Sequence, residues 1–486
     1  MKNQSEKRNL SMVMDFYEMS MSNGYFNTTD YETTVAFDVF YRRNPDNAGF
    51  SIFAGLAQII EYINSLHFES EDIAYLRAQG IFSEDFLTYL KDYHFRGDLY
   101  AMPEGTVVYP NEPLVTVVAP LIDAQLIETA LLLEINHQSL IATKASRIVR
   151  MARGRAVSDF GARRAHNVDA AVYGARAAYI GGVSGTATVL AGEMFGIPVS
   201  GTMAHSWVMY FDNEYEAFKK YAETYPDSTV LLVDTYNVRK SGVPNAIRVA
   251  KEVLEPMGKR LKGIRIDSGD LAFLSKEARH MLDEAGLTDC RIVASNGLDE
   301  YTIKTLIDQG AEIDSFGVGE RLITSASSPV FGAVYKLVAV QKENYLVPKI
   351  KVSENVEKTT NPGLKKIYRV YDESGKAVAE YLTCADEVID TSHPVDYVDP
   401  QKYWKRRSFT GCTFKNLQVK VFESGKQIYE SPSAEEIRNY VNKQLTDEIW
   451  DEEQRFDNPH GHYFDMSPAM YELKMNLLDE FEHAKG

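Results

Sequence analysis

Basic side chains are concentrated in one short segment of this 486-residue chain, between residues 144 and 164. Seven positive charges lie there against the single acid Asp159, in a chain whose formal net charge is −17. A planar guanidinium can pair with two phosphate oxygens at once, so the segment suits a ligand that carries phosphate. The basic residues are Lys144, Arg147, Arg150, Arg153, Arg155, Arg163 and Arg164.

These cations need not share one role. The three arginines from Arg147 to Arg153 recur at helical spacing, which predicts that they line the solvent face of a helix. Arg163 and Arg164 follow an apolar run that ends in a polar cluster, so we expect them at a binding site. Lys144 fits either interpretation.

Acids and glycines follow two other apolar runs. The segment Asp267-Ser268-Gly269-Asp270 would suit ribose hydroxyls or Mg²⁺, but it equally fits the N-cap and first turn of a helix. The segment Gly317-Val318-Gly319 could present backbone N–H groups to a phosphate, or could simply form a turn.

Two further side chains are candidates. His205 comes just after an apolar run, which is compatible with a catalytic role or with a hydrogen-bonded core histidine. Tyr17 lies beside Phe16 and Met19, where core or interface packing is the ordinary role. The remaining histidines lack metal-ligand spacing, and His460-Gly461-His462 is expected to form a polar loop. We expect no protein metal site.

The elements that must position these residues form a regular series. Seven short apolar runs each end in a polar or glycine-rich cluster, and a helical stretch follows each of them. The last five endpoints lie 34, 33, 28 and 23 residues apart, about one β/α unit each. This predicts an α/β fold with an irregular α/β barrel, whose chemistry lies at the C-terminal ends of its strands. The endpoints are Asp159, Ser184, Ser200, Asp234, Asp267, Ser295 and Val318.

An open doubly wound sheet is the alternative, but the chain lacks the G-x-G-x-x-G and Walker A patterns. We expect an N-terminal α+β domain over residues 1–140, the barrel over 141–340, and a C-terminal module over 341–486 that packs against the others.

Composition excludes several classes of protein. With 23 Phe and 29 Tyr the chain is too apolar to be mainly disordered, and its acidity argues against nucleic-acid binding. Three scattered cysteines and a first segment without an apolar core predict a cytoplasmic protein. Residues 194–211 contain no acid, Lys or Arg, but their glycines and Pro198 predict a buried segment and no membrane association.

Eight motifs occur in the order found in nicotinate phosphoribosyltransferases, and the chain resembles that family from about Met12 to about Ser467. The motifs are Asp15-x-Tyr17, Phe40-Tyr41-Arg42-Arg43, Asn136-x-Gln138-Ser139 through Arg147, Asp159-Phe160-Gly161-Ala162-Arg163-Arg164-Ala165-His166, Gly201-Thr202-Met203-Ala204-His205-Ser206, Val233-Asp234-Thr235-Tyr236, Arg265-Ile266-Asp267-Ser268-Gly269-Asp270 and Ser295-Asn296.

The resemblance implies a homodimer with shared active sites and a reaction of NAD salvage. Nicotinate and 5-phosphoribosyl 1-diphosphate would give nicotinate mononucleotide and pyrophosphate, coupled to hydrolysis of ATP as co-substrate. Mg²⁺ would accompany the pyrophosphate or ATP.

The resemblance also implies residue roles. His205 would be phosphorylated transiently by ATP, Tyr17 would stack on nicotinate across the dimer, and Thr202 and Arg265 would contact nicotinate. The phosphoribosyl diphosphate would be bound by Lys144, Arg163, Asp267, Ser268, Asn296, Gly317 and Gly319.

Two rival functions remain. Nicotinamide phosphoribosyltransferases resemble this family, but there an acid follows Gly-Thr where this chain has Ala187 after Gly185-Thr186, which favours the acid substrate. A non-catalytic ligand-binding barrel is disfavoured by the charged residues at four or more strand ends. One departure from the family is Glu320 after Gly319, where many relatives carry Thr; an inward-facing acid would repel phosphate.

Overall fold

The structure is a computed structural model that describes residues 8–353, 358–400, 402–404 and 406–483. The chain folds into two compact units. Unit 1 comprises residues 1–140, 330–432 and 439–486, and unit 2 comprises residues 141–329 and 433–438.

The N-terminal part of unit 1 alternates short helices and strands. Its elements are α1 (Phe16–Thr28), β1 (Thr34–Phe40), β2 (Ser51–Ile52), α2 (Leu56–Ser65), α3 (Ser70–Ala78), α4 (Glu84–Lys91), β3 (Asp98–Ala101), β4 (Val107–Val108), β5 (Val115–Pro120), α5 (Leu121–Gln125) and the first part of α6 (Glu128–Met151).

Unit 2 contains the predicted series of strands and helices. Its elements after α6 are β6 (Ala156–Asp159), α7 (Val168–Ile180), β7 (Gly185–Thr186), α8 (Val189–Phe195), α9 (His205–Tyr210), α10 (Glu214–Thr224), β8 (Val230–Leu232), α11 (Val243–Val249), β9 (Gly263–Ile266), α12 (Leu271–Glu284), β10 (Arg291–Ser295), α13 (Glu300–Asp308), β11 (Ser315–Val318) and α14 (Glu320–Ile323).

The chain then returns to unit 1, apart from residues 433–438, which belong to unit 2. The remaining elements are β12 (Val334–Lys342), β13 (Tyr345–Pro348), β14 (Lys365–Tyr371), β15 (Ala377–Cys384), β16 (Val395–Val398), β17 (Arg406–Phe409), β18 (Thr413–Asn416), β19 (Val419–Glu423), β20 (Lys426–Gln427), α15 (Ala434–Lys443), β21 (Phe464–Met466) and α16 (Pro468–His483).

Unit 1 is built on two large sheets. The first has the strand order β13-β12-β1-β5-β3-β19-β20 and is antiparallel throughout. The second has the order β17-β16-β21-β15-β14-β18, in which only β15 and β21 run parallel. A buried apolar cluster, which includes Val35, Leu99 and Val117 from the first sheet, forms the core of this unit.

Unit 2 is a barrel that is open on one side. Its six parallel strands have the order β7-β6-β11-β10-β9-β8, so β11 closes onto β6. A parallel bridge between Thr186 and Val199 adds a seventh position beside β7, and the gap lies between that position and β8. Six of the seven predicted positions therefore correspond to strands, with β7 beginning just after the predicted endpoint Ser184, and the seventh, near Ser200, is a single bridge. The predicted α/β class is confirmed.

The alternation of β9 explains how the barrel directs its polar side chains. Ile264 and Ile266 are buried in an apolar cluster with residues of α10, α11 and α12. Because successive side chains of a strand point to opposite faces, Arg265 points away from these helices, toward the barrel interior.

None of the helices in the described part of the chain has the length and apolar character needed to cross a membrane. The segment 194–211 is divided between the end of α8, the bridge at Val199 and the short helix α9. The prediction that it is buried is wrong for most of its length, because the side chains of Met194, Val199, Met209 and Tyr210 are exposed.

Candidate active site

The polar residues of unit 2 gather at one edge because its strands are parallel. The segments that follow β6, β7, β9, β10 and β11, together with the segment leading from Val199 into α9, leave the barrel at the carboxyl ends of the strands. This is the edge at which β/α barrels carry their chemistry.

The half-buried cation Arg265 lies at this edge. The Nη1 of Arg265 donates to Thr202 Oγ1 at 2.6 Å, while its Nε is buried without a hydrogen-bond partner among the described residues. Burial lowers the pKa of Arg265, and the positive charge of Arg163 adds to that effect against the opposing carboxylates of Asp267 and Asp234. An anion bound between Arg265 and Arg163 would accept a hydrogen bond from the unpaired Nε of Arg265. It would also reduce the repulsion between the two guanidinium groups.

His205 is the first residue of α9 and is partly open to solvent, with 40% of its side chain exposed. Its Nδ1 lies 3.1 Å from Thr235 Oγ1, and its Nε2 lies 3.7 Å from Asp267 Oδ2. These contacts hold the ring at the strand edge with one face accessible, so the alternative of a core histidine is wrong.

A network of short hydrogen bonds joins three strand ends. Asp234 Oδ2 accepts from the Asp267 backbone N–H at 3.0 Å and from Ser268 Oγ at 2.6 Å. Ser295 Oγ donates to Asp267 Oδ1. Asp234 therefore orients both Asp267 and Ser268, although sequence reasoning gave it no role of its own.

Asp270 takes the structural role that the sequence left open. Its Oδ1 accepts from the Phe273 backbone N–H at 3.0 Å and so caps α12. Asn296, after β10, has a left-handed backbone conformation with φ 82° and an exposed side chain. Its position at the edge agrees with the prediction, but no ligand contact tests its role.

Gly317 lies within β11 and Gly319 directly follows it, and the two glycines have different roles. A Cβ at Gly317 would lie 2.4 Å from Phe160 Cδ2, so the glycine is needed for the Phe160 ring to pack on the strand. At Gly319 the nearest atom would be the Phe160 carbonyl oxygen at 3.3 Å. Glu320 lies 3.9 Å from Arg164, with both side chains largely exposed, so its carboxylate faces that arginine.

Asp159 connects two of these segments. Its buried carboxylate accepts from the Gly161 N–H and from Thr186 Oγ1, both at 2.8 Å, and its carbonyl oxygen accepts from the Ala187 N–H at 2.8 Å. The loop with Arg163 is thereby linked to the segment around Ala187, whose own side chain is a methyl group.

Lys144 is buried and already engaged. Its Nζ donates to Glu300 Oε1 at 2.8 Å and to Ser327 Oγ at 2.6 Å. Arg147 Nε reaches the same Glu300 oxygen at 3.2 Å, so the prediction that Arg147 faces solvent is wrong. Helical spacing places Lys144 and Arg147 on one face of α6. It does not reveal that this face packs against Glu300, which lies 153 residues after Arg147 in the sequence. Arg150 is half-buried, whereas Arg153 is exposed as predicted.

Tyr17 lies on α1 in unit 1, with 43% of the residue exposed. Burial of the hydroxyl and the neighbouring Glu128 carboxylate raise the pKa of Tyr17. The predicted stacking on nicotinate in a partner subunit stays a prediction.

Unit 1 contains a cavity of about 540 Å³ that the sequence analysis did not identify. Five basic side chains line it against the acids Asp38 and Asp399. Of its lining, the sequence analysis had singled out the motif that ends in Arg42 and Arg43, just after β1. The basic residues are Arg42, Arg43, Lys365, Lys402 and Lys474.

The same cavity corrects one expectation. His462 does lie in a loop, but its side chain is buried, and its Nδ1 lies 2.9 Å from Glu453 Oε1. Burial opposes its charge, but the nearby carboxylates of Glu380 and Glu453 outweigh burial and raise the pKa of His462. Among the described residues, no group of three or more His, Cys, Asp or Glu could hold a metal ion.

Comparison with known proteins covers nearly the whole chain. Residues 12–136 match the family model of the nicotinate phosphoribosyltransferase N-terminal domain, residues 155–386 that of the nicotinate phosphoribosyltransferase family, and residues 364–474 that of the C-terminal domain.

Individual relatives agree. The chain is 45% identical to a nicotinate phosphoribosyltransferase of Bacillus subtilis, over 97% of this chain and 96% of the relative. It is 44% identical to nicotinate phosphoribosyltransferase pncB2 of Mycobacterium tuberculosis, over 74% of this chain and 75% of the relative. The crystal structure of human nicotinic acid phosphoribosyltransferase is similar with a TM-score of 0.85 at 26% identity, covering 96% of this chain and all of that one. The chain therefore belongs to the nicotinate phosphoribosyltransferase family.

Proposed function

We propose that this protein transfers the phosphoribosyl group of 5-phosphoribosyl 1-diphosphate to nicotinate, giving nicotinate mononucleotide and pyrophosphate for NAD salvage. The observation that carries the proposal is the half-buried Arg265, which contacts Thr202 through Nη1 and whose buried Nε has no hydrogen-bond partner among the described residues. A carboxylate attached to an aromatic ring would supply the missing acceptor in a site that excludes much of the water.

The segment after β7 supports an acid substrate over an amide. Ala187 is exposed between two buried threonines, Thr186 and Thr188, and its methyl group can accept no hydrogen bond. An acid at this position would favour an amide N–H and repel a carboxylate. Nicotinamide is therefore the disfavoured substrate.

The transfer needs positioning and charge, with no proton to move. The pyridine nitrogen lone pair forms the bond to ribose C1 while the C1–O bond to diphosphate breaks, and the diphosphate leaves with the electron pair. The ribose passes through an oxocarbenium-like state, which oriented charges stabilise. Arg163 is assigned to the anionic groups, Asp267 to the ribose hydroxyls, and Ser268 to the ribose or its phosphates, because they lie at the same strand edge.

His205 is assigned as the acceptor of a phosphoryl group from ATP. An imidazole nitrogen would bond to the γ-phosphorus of ATP while the bond from that phosphorus to the oxygen bridging it to the β-phosphorus breaks. ADP would leave with the bridging oxygen and the electron pair. The added charge and acceptor oxygens could then rearrange the segment from Thr202 to His205. Its exposed side chain and its contacts with Thr235 and Asp267 support this role.

Mg²⁺ is proposed to arrive with the diphosphate or with ATP. The described residues form no group of three carboxylates, His or Cys that would fit a resident ion, so we assign no protein ligand to it and derive no step through it.

A homodimer is proposed, with Tyr17 completing the partner's site. Exposed apolar side chains support an interface on each unit, because large apolar patches are uncommon on monomers. Phe16, Tyr17 and Met21 are exposed on α1, and Val189, Met209 and Tyr210 are exposed on α8 and α9.

The test is pyrophosphate release by the full chain from 5-phosphoribosyl 1-diphosphate, with nicotinate, with nicotinamide and with neither. We expect release that depends on nicotinate and yields nicotinate mononucleotide in equal amount. Equal rates with nicotinamide would contradict the substrate assignment, and no release with either base would favour a non-catalytic barrel.

The variants Ala187→Asp and Ala187→Asn test separately how charge and size at residue 187 affect the choice between nicotinate and nicotinamide. Both side chains have the same shape, so only Asp should sharply lower kcat/KM for nicotinate. Equal losses would mean that steric bulk matters there and that the base does not approach Ala187 through its carboxylate.

A further inference from the structure

The cavity in unit 1 should concentrate small anions. Its lining includes Arg42 and Arg43 after β1, Lys402, and Lys474 on α16, with Lys365 at the start of β14. Basic side chains that line a concave surface raise the local concentration of anions, and the low dielectric of the walls strengthens the field.

Lys474 and Lys365 differ in the groups that their ammonium ions contact. The Nζ of Lys365 pairs with Asp38 Oδ2 at 2.5 Å, so that ammonium has a carboxylate partner. The Nζ of Lys474 instead donates to Asn361 Oδ1, a neutral amide oxygen, at 2.8 Å, and no described carboxylate forms a salt bridge with it. Burial and the charge of Lys365 lower the pKa of Lys474 to about 8.

We propose that Lys474 is an acylation site for small acyl phosphates, which are anionic electrophiles that the basic cavity holds beside an amine bound only to a neutral acceptor. The amine lone pair attacks the acyl carbon, and the bond from that carbon to the phosphate oxygen breaks. Inorganic phosphate leaves with the electron pair, the nitrogen loses one proton to solvent, and an amide forms. No oxidant or reductant is required.

The expected rate advantage follows from the fraction of neutral amine. At pH 7.5 that fraction is roughly a quarter for Lys474 and about one in a thousand for an ordinary lysine. A less basic amine is also a weaker nucleophile. The Brønsted slope that relates nucleophilicity to pKa is about 0.4–0.5 for thiols. With the same slope for amines, Lys474 should react about fifteen- to twenty-fivefold faster than an ordinary lysine, before any gain from anion binding. The titratable and charged groups that line the cavity with Lys474 are Asp38, Arg42, Arg43, Lys365, Asp399, Lys402, His462 and Tyr463, and of these Lys365 lowers its pKa.

The test uses acetyl phosphate on the folded full chain at pH 7.5, with peptide mass spectrometry following the acetylation of each lysine. Lys474 should react at least about tenfold faster than the exposed Lys240, and excess inorganic phosphate should slow it. The variant Lys474→Arg should lose the label in that peptide.

A neutral donor of the same acetyl group, p-nitrophenyl acetate, separates anion capture from intrinsic reactivity. The variant Lys402→Gln removes one cavity cation and should slow the reaction of Lys474 with acetyl phosphate, but not with the neutral ester; its thermal midpoint checks folding. The proposal is overturned if Lys474 reacts no faster than Lys240, or if neither phosphate nor Lys402→Gln changes its rate with acetyl phosphate.

Discussion

Replacing Arg265 by alanine tests the assignment of the nicotinate carboxylate. In the structure one edge of this guanidinium is occupied by Thr202 at 2.6 Å, and Nε on the other side has no partner among the described residues. A charge-assisted hydrogen bond to a carboxylate contributes about 1.5–3 kcal/mol, so its loss should weaken nicotinate binding about ten- to hundredfold. Binding of 5-phosphoribosyl 1-diphosphate should change far less.

Ligand-induced stabilisation gives a convenient assay. At a nicotinate concentration of about 100 times Kd, the wild-type protein gains about 2.7 kcal/mol in its free energy of unfolding. At the same concentration, Arg265→Ala should gain about half of that or less. Without ligand, the variant loses a contact with Thr202 but also a buried charge, so we expect a small change in stability, about 1 kcal/mol in either direction.

The control variant is Arg248→Ala in the same unit. Arg248 forms an exposed pair with Glu252 at 2.9 Å, so its removal should leave both ligand affinities unchanged. Titration calorimetry measures the two dissociation constants directly. Equal losses for nicotinate and the phosphoribosyl donor in Arg265→Ala would refute the assignment and place Arg265 on the phosphates.

Four further outcomes can be measured. His205→Ala should keep slow formation of nicotinate mononucleotide but lose its stimulation by ATP and its ATP hydrolysis; a variant that still couples ATP to product would exclude the phosphohistidine. Mixing Tyr17→Ala with His205→Ala protein should restore part of the activity, and no recovery despite confirmed subunit exchange would place Tyr17 outside the partner's site. Asp159→Asn should raise KM for nicotinate with little change in thermal midpoint, because the carboxylate orients the Arg163 and Ala187 segments; a drop in midpoint with unchanged KM would make Asp159 purely structural. Burial and the nearby Asp399 raise the pKa of Asp465 from 3.8 to about 7, so its stabilising contribution is present below about pH 4 and is lost as the pH rises to 7. Chemical denaturation should therefore find Asp465→Asn more favourable relative to wild type at pH 8 than at pH 5, and an equal difference at both values would contradict the raised pKa.

The sequence by itself determined the elements of unit 2 and the residues at their ends. Seven apolar runs predicted the strand positions of the barrel, because strand formation in a buried parallel sheet leaves a local apolar pattern. The same pattern placed Arg163, His205 and Asp267 after strands, and parallel strands bring such positions to one edge.

Only the tertiary structure decided which of those residues meet. Thr202 and Arg265 are 63 residues apart in the sequence but form a hydrogen bond. Asp234, after β8, accepts a hydrogen bond from Ser268, which follows the neighbouring strand β9. Arg147 has the spacing of an exposed helical residue, yet Glu300 buries it, because burial depends on what packs against a helix and not on the helix alone.

The same limit applies to the architecture of unit 1. Strands β12 and β19 lie more than 200 residues from the strands beside them in the first sheet, β1 and β3, and so join the N-terminal part of the chain to its C-terminal part. The basic cavity draws its lining from both parts. A local pattern indicates that a segment will be a strand and which face will be apolar. The choice of its neighbour is made by the burial of surfaces that are distant in sequence, and only the folded chain contains that information.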